Sequence, residues 1–120
     1  MDFAVSRSQH WTVVSINGRS DAFTFPRLKC ELDQLLAEGA LCIAVEMAQA
    51  KFLSISTIDY FCRVAKTLQT QGGRFAVVGA GEKIKRNFAI FSQMPQILVV
   101  SKLAELPTNR APDAYLEPAP

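Results

Sequence analysis

Bulky apolar residues along the chain alternate between two kinds of spacing. From Trp11 to Ile16, large or β-branched residues alternate loosely with small or polar ones, which predicts a strand, and Asn17-Gly18 predicts a turn after it. Phe25, Leu28, Leu32, Leu35 and Leu36 then recur every three or four positions. That is one stripe of a helix, with Pro26 tolerated in the first turn and Gly39 just past the end. Leu41 to Val45 is a short apolar run, as expected of a strand covered on both faces. After Phe52-Leu53 and a polar cluster comes a second helical stripe of Ile58, Phe61, Cys62, Ala65 and Leu68, stopped by Gln71-Gly72-Gly73. Phe75 to Val78 predicts another strand, ended by Gly79-Ala80-Gly81. A third helix places Ile84, Phe88 and Phe91 inward and ends at Pro95, and Ile97 to Val100 predicts a last strand. Ser101 to Leu106 is read as one more short helical turn.

Strands that alternate with helices imply an α/β domain, here a small mixed β-sheet with helices packed on it. The length of 120 residues fits one domain, which we place at residues 1–106. Pro107, Pro112, Pro118 and Pro120 mark residues 107–120 as a proline-rich, mobile C-terminal tail. An apolar content of 49% with a net charge of +2 excludes a wholly disordered chain. No apolar run approaches the roughly 20 residues of a membrane span, and Met1 to Arg7 lacks the order of a secretory signal. The expectation is a soluble, intracellular protein that neither inserts into membranes nor binds nucleic acid. Lys83, Lys85 and Arg86 form the densest basic stretch, which reads as the wet face of a helix or a contact for an acidic partner.

Candidate chemistry is sparse. His10 is the only histidine, and Cys30, Cys42 and Cys62 stand apart among apolar residues, so neither a zinc site nor a Cys-His pair is expected. Gly79-Ala80-Gly81 sits where a dinucleotide fingerprint would begin, but its third glycine position holds Ile84. No catalytic residue, metal or cofactor is assigned, and the chain is read as a non-enzyme.

The most informative stretch is Phe52-Leu53-Ser54-Ile55-Ser56-Thr57-Ile58-Asp59. Ser56 with Asp59 three residues on fits a capping box, the hydroxyl accepting from a backbone N–H and the acid reaching back. The same unpaired N–H groups and helix dipole favour negative charge, so a phosphate on a hydroxyl there would be tolerated and could switch an interface off by repulsion. The residues leave both readings open.

At these positions the chain resembles the STAS domains, named from sulfate transporters and anti-sigma factor antagonists, over about residues 3–106. Gly18-Arg19-Ser20-Asp21 looks like the family's G-x-L-D turn. Glu46 to Thr57 aligns without gaps on the central D-L-S-x-V-x-F-(I/L)-D-S-S-G. Gly72-Gly73-Arg74-Phe75-Ala76-Val77-Val78 is similar to G-G-x-L-x-L-V. The motif's second serine falls on Ser56, while Ile55 replaces the first, Ser54 the preceding acid and Thr57 the following glycine. The family's order of strand, strand, helix, strand, helix, strand, helix, strand, helix matches the pattern above, in which one or two strands precede the first helix.

The resemblance implies a bacterial, cytoplasmic signalling adaptor that regulates transcription by binding a serine kinase that doubles as an anti-sigma factor. It implies phosphorylation at Ser56, with Thr57 and Ser54 as secondary acceptors. The expected docking surface is Asp21, Phe23, Ser54, Ile55, Ser56, Thr57 and Asp59. Phe23 and Ile55 would form its apolar centre if exposed, although Phe23 could equally staple the first helix. Two alternatives stand beside this one. The first is a constitutive scaffold subunit of a sensory or lipid-transport assembly, docking through Lys83, Lys85 and Arg86. The second is a small-ligand sensor whose helix N-terminus near Ser56 would suit an anion.

Overall fold

The computed structural model describes residues 2–90 and 97–107. Its elements run β1 (Asp2–Ser8), β2 (Trp11–Ser20), α1 (Phe25–Ala37), β3 (Cys42–Leu53), α2 (Ile55–Thr70), β4 (Arg74–Val78), α3 (Glu82–Ile90), β5 (Ile97–Val100) and a single 3₁₀ turn at Leu103–Glu105. The five strands form one sheet in the order β1-β2-β3-β4-β5. β1 is antiparallel to β2, and every later pair is parallel. The α/β reading with a small mixed sheet holds. Phe91, Pro95 and residues 108–120 of the expected tail lie outside the described residues.

Chain order in the sheet puts the three helices on one face. Leu28, Leu32 and Leu35 of α1, Ile58, Phe61, Val64 and Leu68 of α2, and Ile84 and Phe88 of α3 share one core. They meet Val14, Ile16, Ile43, Val45, Phe75, Val77 and Ile97 from the sheet. Phe61 is fully buried, with Phe75 at 5.8 Å and Phe88 stacked at 6.4 Å between ring centroids. The opposite face buries Trp11, Val13, Cys42, Ala44, Ala76 and Val78 under Leu103 and Leu106. Trp11 Nε1 donates to the Pro107 carbonyl at 2.8 Å and ties down this short cover.

Two strands are longer than their patterns predict. Asn17-Gly18 makes no turn; β2 continues to Ser20, with register shifts between Ser15 and Asn17 and between Gly18 and Arg19. Gly18 has φ 97, so it serves the irregular ladder rather than a reversal. β3 likewise runs on through Gln49-Ala50-Lys51 to Leu53. Residues of modest strand propensity are held there by pairing with β2, so tertiary context overrides the local signal. The reversal lies earlier, at Gln9-His10, where Gln9 has φ 57.

Gly73 follows the stop of α2 for a steric reason. A Cβ there would lie 2.0 Å from the Leu41 carbonyl oxygen. The same approach lets Gly73 N–H donate to Leu68 O at 2.7 Å and Arg74 N–H to Leu41 O at 2.8 Å. Sheet and helix are thereby locked before β4.

Candidate functional site

β2 and β3 end side by side, with Ser20 opposite Leu53. The next residues of both strands therefore emerge together at the carboxyl end of the sheet, where α1 and α2 begin. Ser54 N–H donates to Ser20 O at 2.8 Å, extending the strand contact into the first turn of α2. Ser54, not Ser56, is the N-cap: its backbone is extended and its hydroxyl accepts from Thr57 N–H at 3.2 Å. The capping box expected of Ser56 and Asp59 does not form. Asp59 turns along the helix to Arg63, with Oδ2 3.0 Å from Nε.

Thr57 is wholly buried. Its hydroxyl lies 2.8 Å from Ser20 Oγ and 2.9 Å from Ser54 Oγ, so three hydroxyls form one chain. This is a correction to the expected site: with 0% exposure Thr57 has no surface to give a partner or a kinase. Ser54 is half-buried and used as a cap, while Ser56 stands exposed. Ile58 N–H reaches Ser54 O at 3.1 Å. The amides of Ile55 and Ser56 have no partner among the described residues. The helix thus ends in unpaired donors beside the Ser56 hydroxyl, an environment that stabilises negative charge.

The facing turn is built from Asp21. Its Oδ1 accepts from Phe23 N–H at 3.0 Å and Thr24 N–H at 3.2 Å, and its carbonyl accepts from Phe25 N–H at 2.8 Å. The two side-chain bonds hold the Asp21 carboxyl below its usual pKa, with the Phe23 amide the leading cause. Thr24 Oγ1 accepts from Asp21 N–H at 2.9 Å and lies 2.9 Å from Arg19 O, to which it donates. So fixed, the turn throws Phe23 outward to 90% exposure, and the staple is not made. Ile55, at the first position of α2, is 69% exposed. These are the two most exposed large apolar side chains among the described residues, and both stand at this end of the sheet.

Behind the site, Tyr60 on α2 ties that helix to α1. Its hydroxyl donates to Asp33, which also holds Lys29 at 2.8 Å, and its ring meets Phe25 edge-on at 5.5 Å. Burial and the Asp33 carboxylate push the Tyr60 pKa up, and the Lys29 ammonium and the Tyr60 hydroxyl hold that of Asp33 down. The sequence reading missed Tyr60 and Ser20, as well as Arg19, whose guanidinium lies 4.4 Å from the Phe52 ring centroid. Arg19 carries no signal in the sequence, since its place opposite Phe52 exists only once the ends of β2 and β3 have paired. Tyr60 lies just beside the apolar stripe, where spacing alone gives no sign of a hydrogen bond to α1.

Lys83, Lys85 and Arg86 are exposed on α3, with Lys85 3.6 Å from Glu82. His10 is exposed at the hairpin turn, Cys42 is buried, Cys30 exposed and Cys62 half-buried. Among the described residues no group of three His, Cys, Asp or Glu side chains could hold a metal ion, and no helix is long and apolar enough to cross a membrane.

Residues 2–105 match the family model of the STAS domain. The chain belongs to the STAS domain family. The fold is also that of solved anti-sigma factor antagonists. The unphosphorylated form of SpoIIAA is 14% identical with a TM-score of 0.66, covering 81% of this chain and 87% of that one. The antagonist from Mycobacterium paratuberculosis is 19% identical with a TM-score of 0.76, covering 87% and 88%. The Thermotoga maritima protein TM1081 is 16% identical with a TM-score of 0.77, covering 86% and 89%. No curated protein sequence matches the chain.

Proposed function

We propose that this STAS domain is a non-enzymatic adaptor that docks a protein partner on the carboxyl end of its sheet and is switched by phosphorylation of Ser56. The observation that carries the reading is the position of Ser56. Its exposed hydroxyl adjoins the unpaired amides that begin α2 and lies next in the chain to Ile55. Phe23 and Ile55 supply the apolar centre, while Asp21, Ser54, Ser56 and Asp59 supply the polar rim, the division expected of a protein interface. The solved relatives support the kind of partner, because SpoIIAA is an anti-sigma factor antagonist with phosphorylated and unphosphorylated forms. The partner in this reading is a serine kinase that acts as an anti-sigma factor.

The test is intact mass of the native protein, together with co-purification from source cells by wild type, Ser56→Ala, Ser56→Asp and a Phe23→Ala/Ile55→Ala double variant. The reading requires a phosphate mass that maps to Ser56. It also requires a captured serine kinase that Ser56→Ala retains and that both Ser56→Asp and the double variant lose. A partner held equally by all four proteins, with no phosphate, would overturn it. That outcome favours the constitutive scaffold with its basic α3 face, a reading supported by the commitment of Ser54 and Thr57 to internal hydrogen bonds.

A further inference from the structure

The two edges of the sheet differ in what they leave open. β5 is four residues long, whereas β1 has seven, with no proline or lysine and an unbroken register against β2. Long, regularly paired edges of this kind offer a row of backbone donors and acceptors to another strand, and folded proteins ordinarily blunt them.

Which groups β1 offers follows from its hairpin. The two-residue connection Gln9-His10 closes with Ser8 opposite Trp11, and a positive φ at Gln9 alone of the two fits a type II′ turn. In such a hairpin the closing pair exchanges both backbone hydrogen bonds, and bonded and non-bonded pairs then alternate. Ser8, Ser6, Ala4 and Asp2 therefore turn their amides and carbonyls toward β2. Arg7, Val5 and Phe3 turn theirs away from it, onto the open edge.

The outward set is self-complementary. Val5 is the midpoint of Asp2–Ser8. A two-fold axis through it pairs the whole strand with a second copy, Val5 on Val5 and Phe3 on Arg7 in both directions. The alternation permits this register, because each outward-facing residue meets another outward-facing residue. Side chains agree with backbone. Val5 is 41% exposed, and it would bury against its own copy. Arg7 is exposed and makes no ion pair among the described residues. Across the axis it would meet Phe3, a ring that already attracts the Arg27 guanidinium at 5.7 Å.

We infer that β1 is a dimerisation edge, on which a second copy of this chain pairs antiparallel through Phe3, Val5 and Arg7 to give one continuous two-fold symmetric sheet. The surface is isologous, as closed homodimers require, and the mode is strand addition. It is independent of the docking face around Ser56.

Sedimentation of the full chain over a concentration series tests this, using wild type, Val5→Lys and Val5→Pro. Proline at position 5 removes an N–H that the β1–β2 ladder does not use. Lysine sets two like charges opposite each other on the axis. Wild type is expected to pass from monomer to dimer as concentration rises. Both variants are expected to stay monomeric with unchanged circular dichroism; if the proline variant misfolds, Val5→Lys decides. In a Cys30→Ser background, Val5→Cys is expected to form a disulfide-linked dimer in air, since a hydrogen-bonded pair holds its Cα atoms about 5.5 Å apart, within disulfide range. The inference fails if wild type stays monomeric at its highest soluble concentration. It fails equally if its dimer survives Val5→Lys while the cysteine at position 5 does not cross-link.

Discussion

The two helix starts at the carboxyl end of the sheet solve one problem with different residues. Before α1, an aspartate satisfies the amides of Phe23 and Thr24, and the Thr24 hydroxyl is taken up by Asp21 and Arg19. Before α2, Ser54 satisfies the amide of Thr57, and Thr57 in turn joins Ser54 to Ser20. Each start presents one large apolar side chain, Phe23 or Ile55. They differ in what is left over. The α1 turn uses its side-chain hydroxyl and its carboxylate internally, whereas the α2 start leaves Ser56 exposed and two amides without a partner among the described residues. A charge can be added at α2 without dismantling anything; at α1 it would displace a bond already made.

The largest expected effect comes from cutting the link between the two starts. Thr57→Val keeps the shape but leaves Ser20 Oγ buried without its partner, which should cost about 1–3 kcal/mol of stability. Urea unfolding measures it, and a loss no larger than that of an exposed substitution would show that the hydroxyl chain does not hold the starts together. Ser54→Ala removes the cap alone and should cost about 1 kcal/mol. Phosphorylation in that variant should still map to Ser56, which separates the capping serine from the proposed switch.

The Asp21 turn predicts a dependence of stability on pH. The folded carboxyl titrates below its unfolded value because the Phe23 and Thr24 amides stabilise the charged form. Its contribution is therefore complete above the unfolded pKa of about 3.9 and disappears as pH falls through the lower folded value. Asp21→Asn should flatten that part of the stability curve and leave the neutral-pH fold intact. An unchanged acid limb in unfolding experiments would mean that the turn does not depend on the charge.

How far such features were legible in the sequence depended on whether one segment carried them. α1 was readable because its stripe, Pro26 and Gly39 all lie within one run of chain, and β4 was readable as an apolar run between glycines. The ends of β2 and β3 were not, since Asn17-Gly18 and Gln49-Ala50-Lys51 become strand only by pairing with each other. The cap was misassigned for a related reason. Ser56-x-x-Asp59 is the capping pattern that the local sequence offers, and what overrides it is Ser20, thirty-seven positions away from Thr57, whose hydroxyl meets the one that Ser54 also holds. Phe23 fits both an exposed docking contact and a staple in the sequence, and only the Asp21 turn decides for the exposed position.

The smallest expected effect is the most specific to the α2 start. Ser56 is exposed and caps nothing, so Ser56→Ala should leave stability within about 0.5 kcal/mol of wild type. Ser56→Asp places a carboxylate beside the unpaired amides of Ile55 and Ser56, at the positive end of a sixteen-residue helix. It should raise stability by about 0.3–1 kcal/mol at low salt, and the gain should shrink as salt is added. The charged residue would then strengthen the fold while weakening partner binding, so any loss of binding could not be ascribed to unfolding. Paired urea titrations at two salt concentrations decide the point. If aspartate destabilises the protein at both, this helix start does not accept negative charge, and a phosphate at Ser56 would disrupt the domain rather than merely its interface.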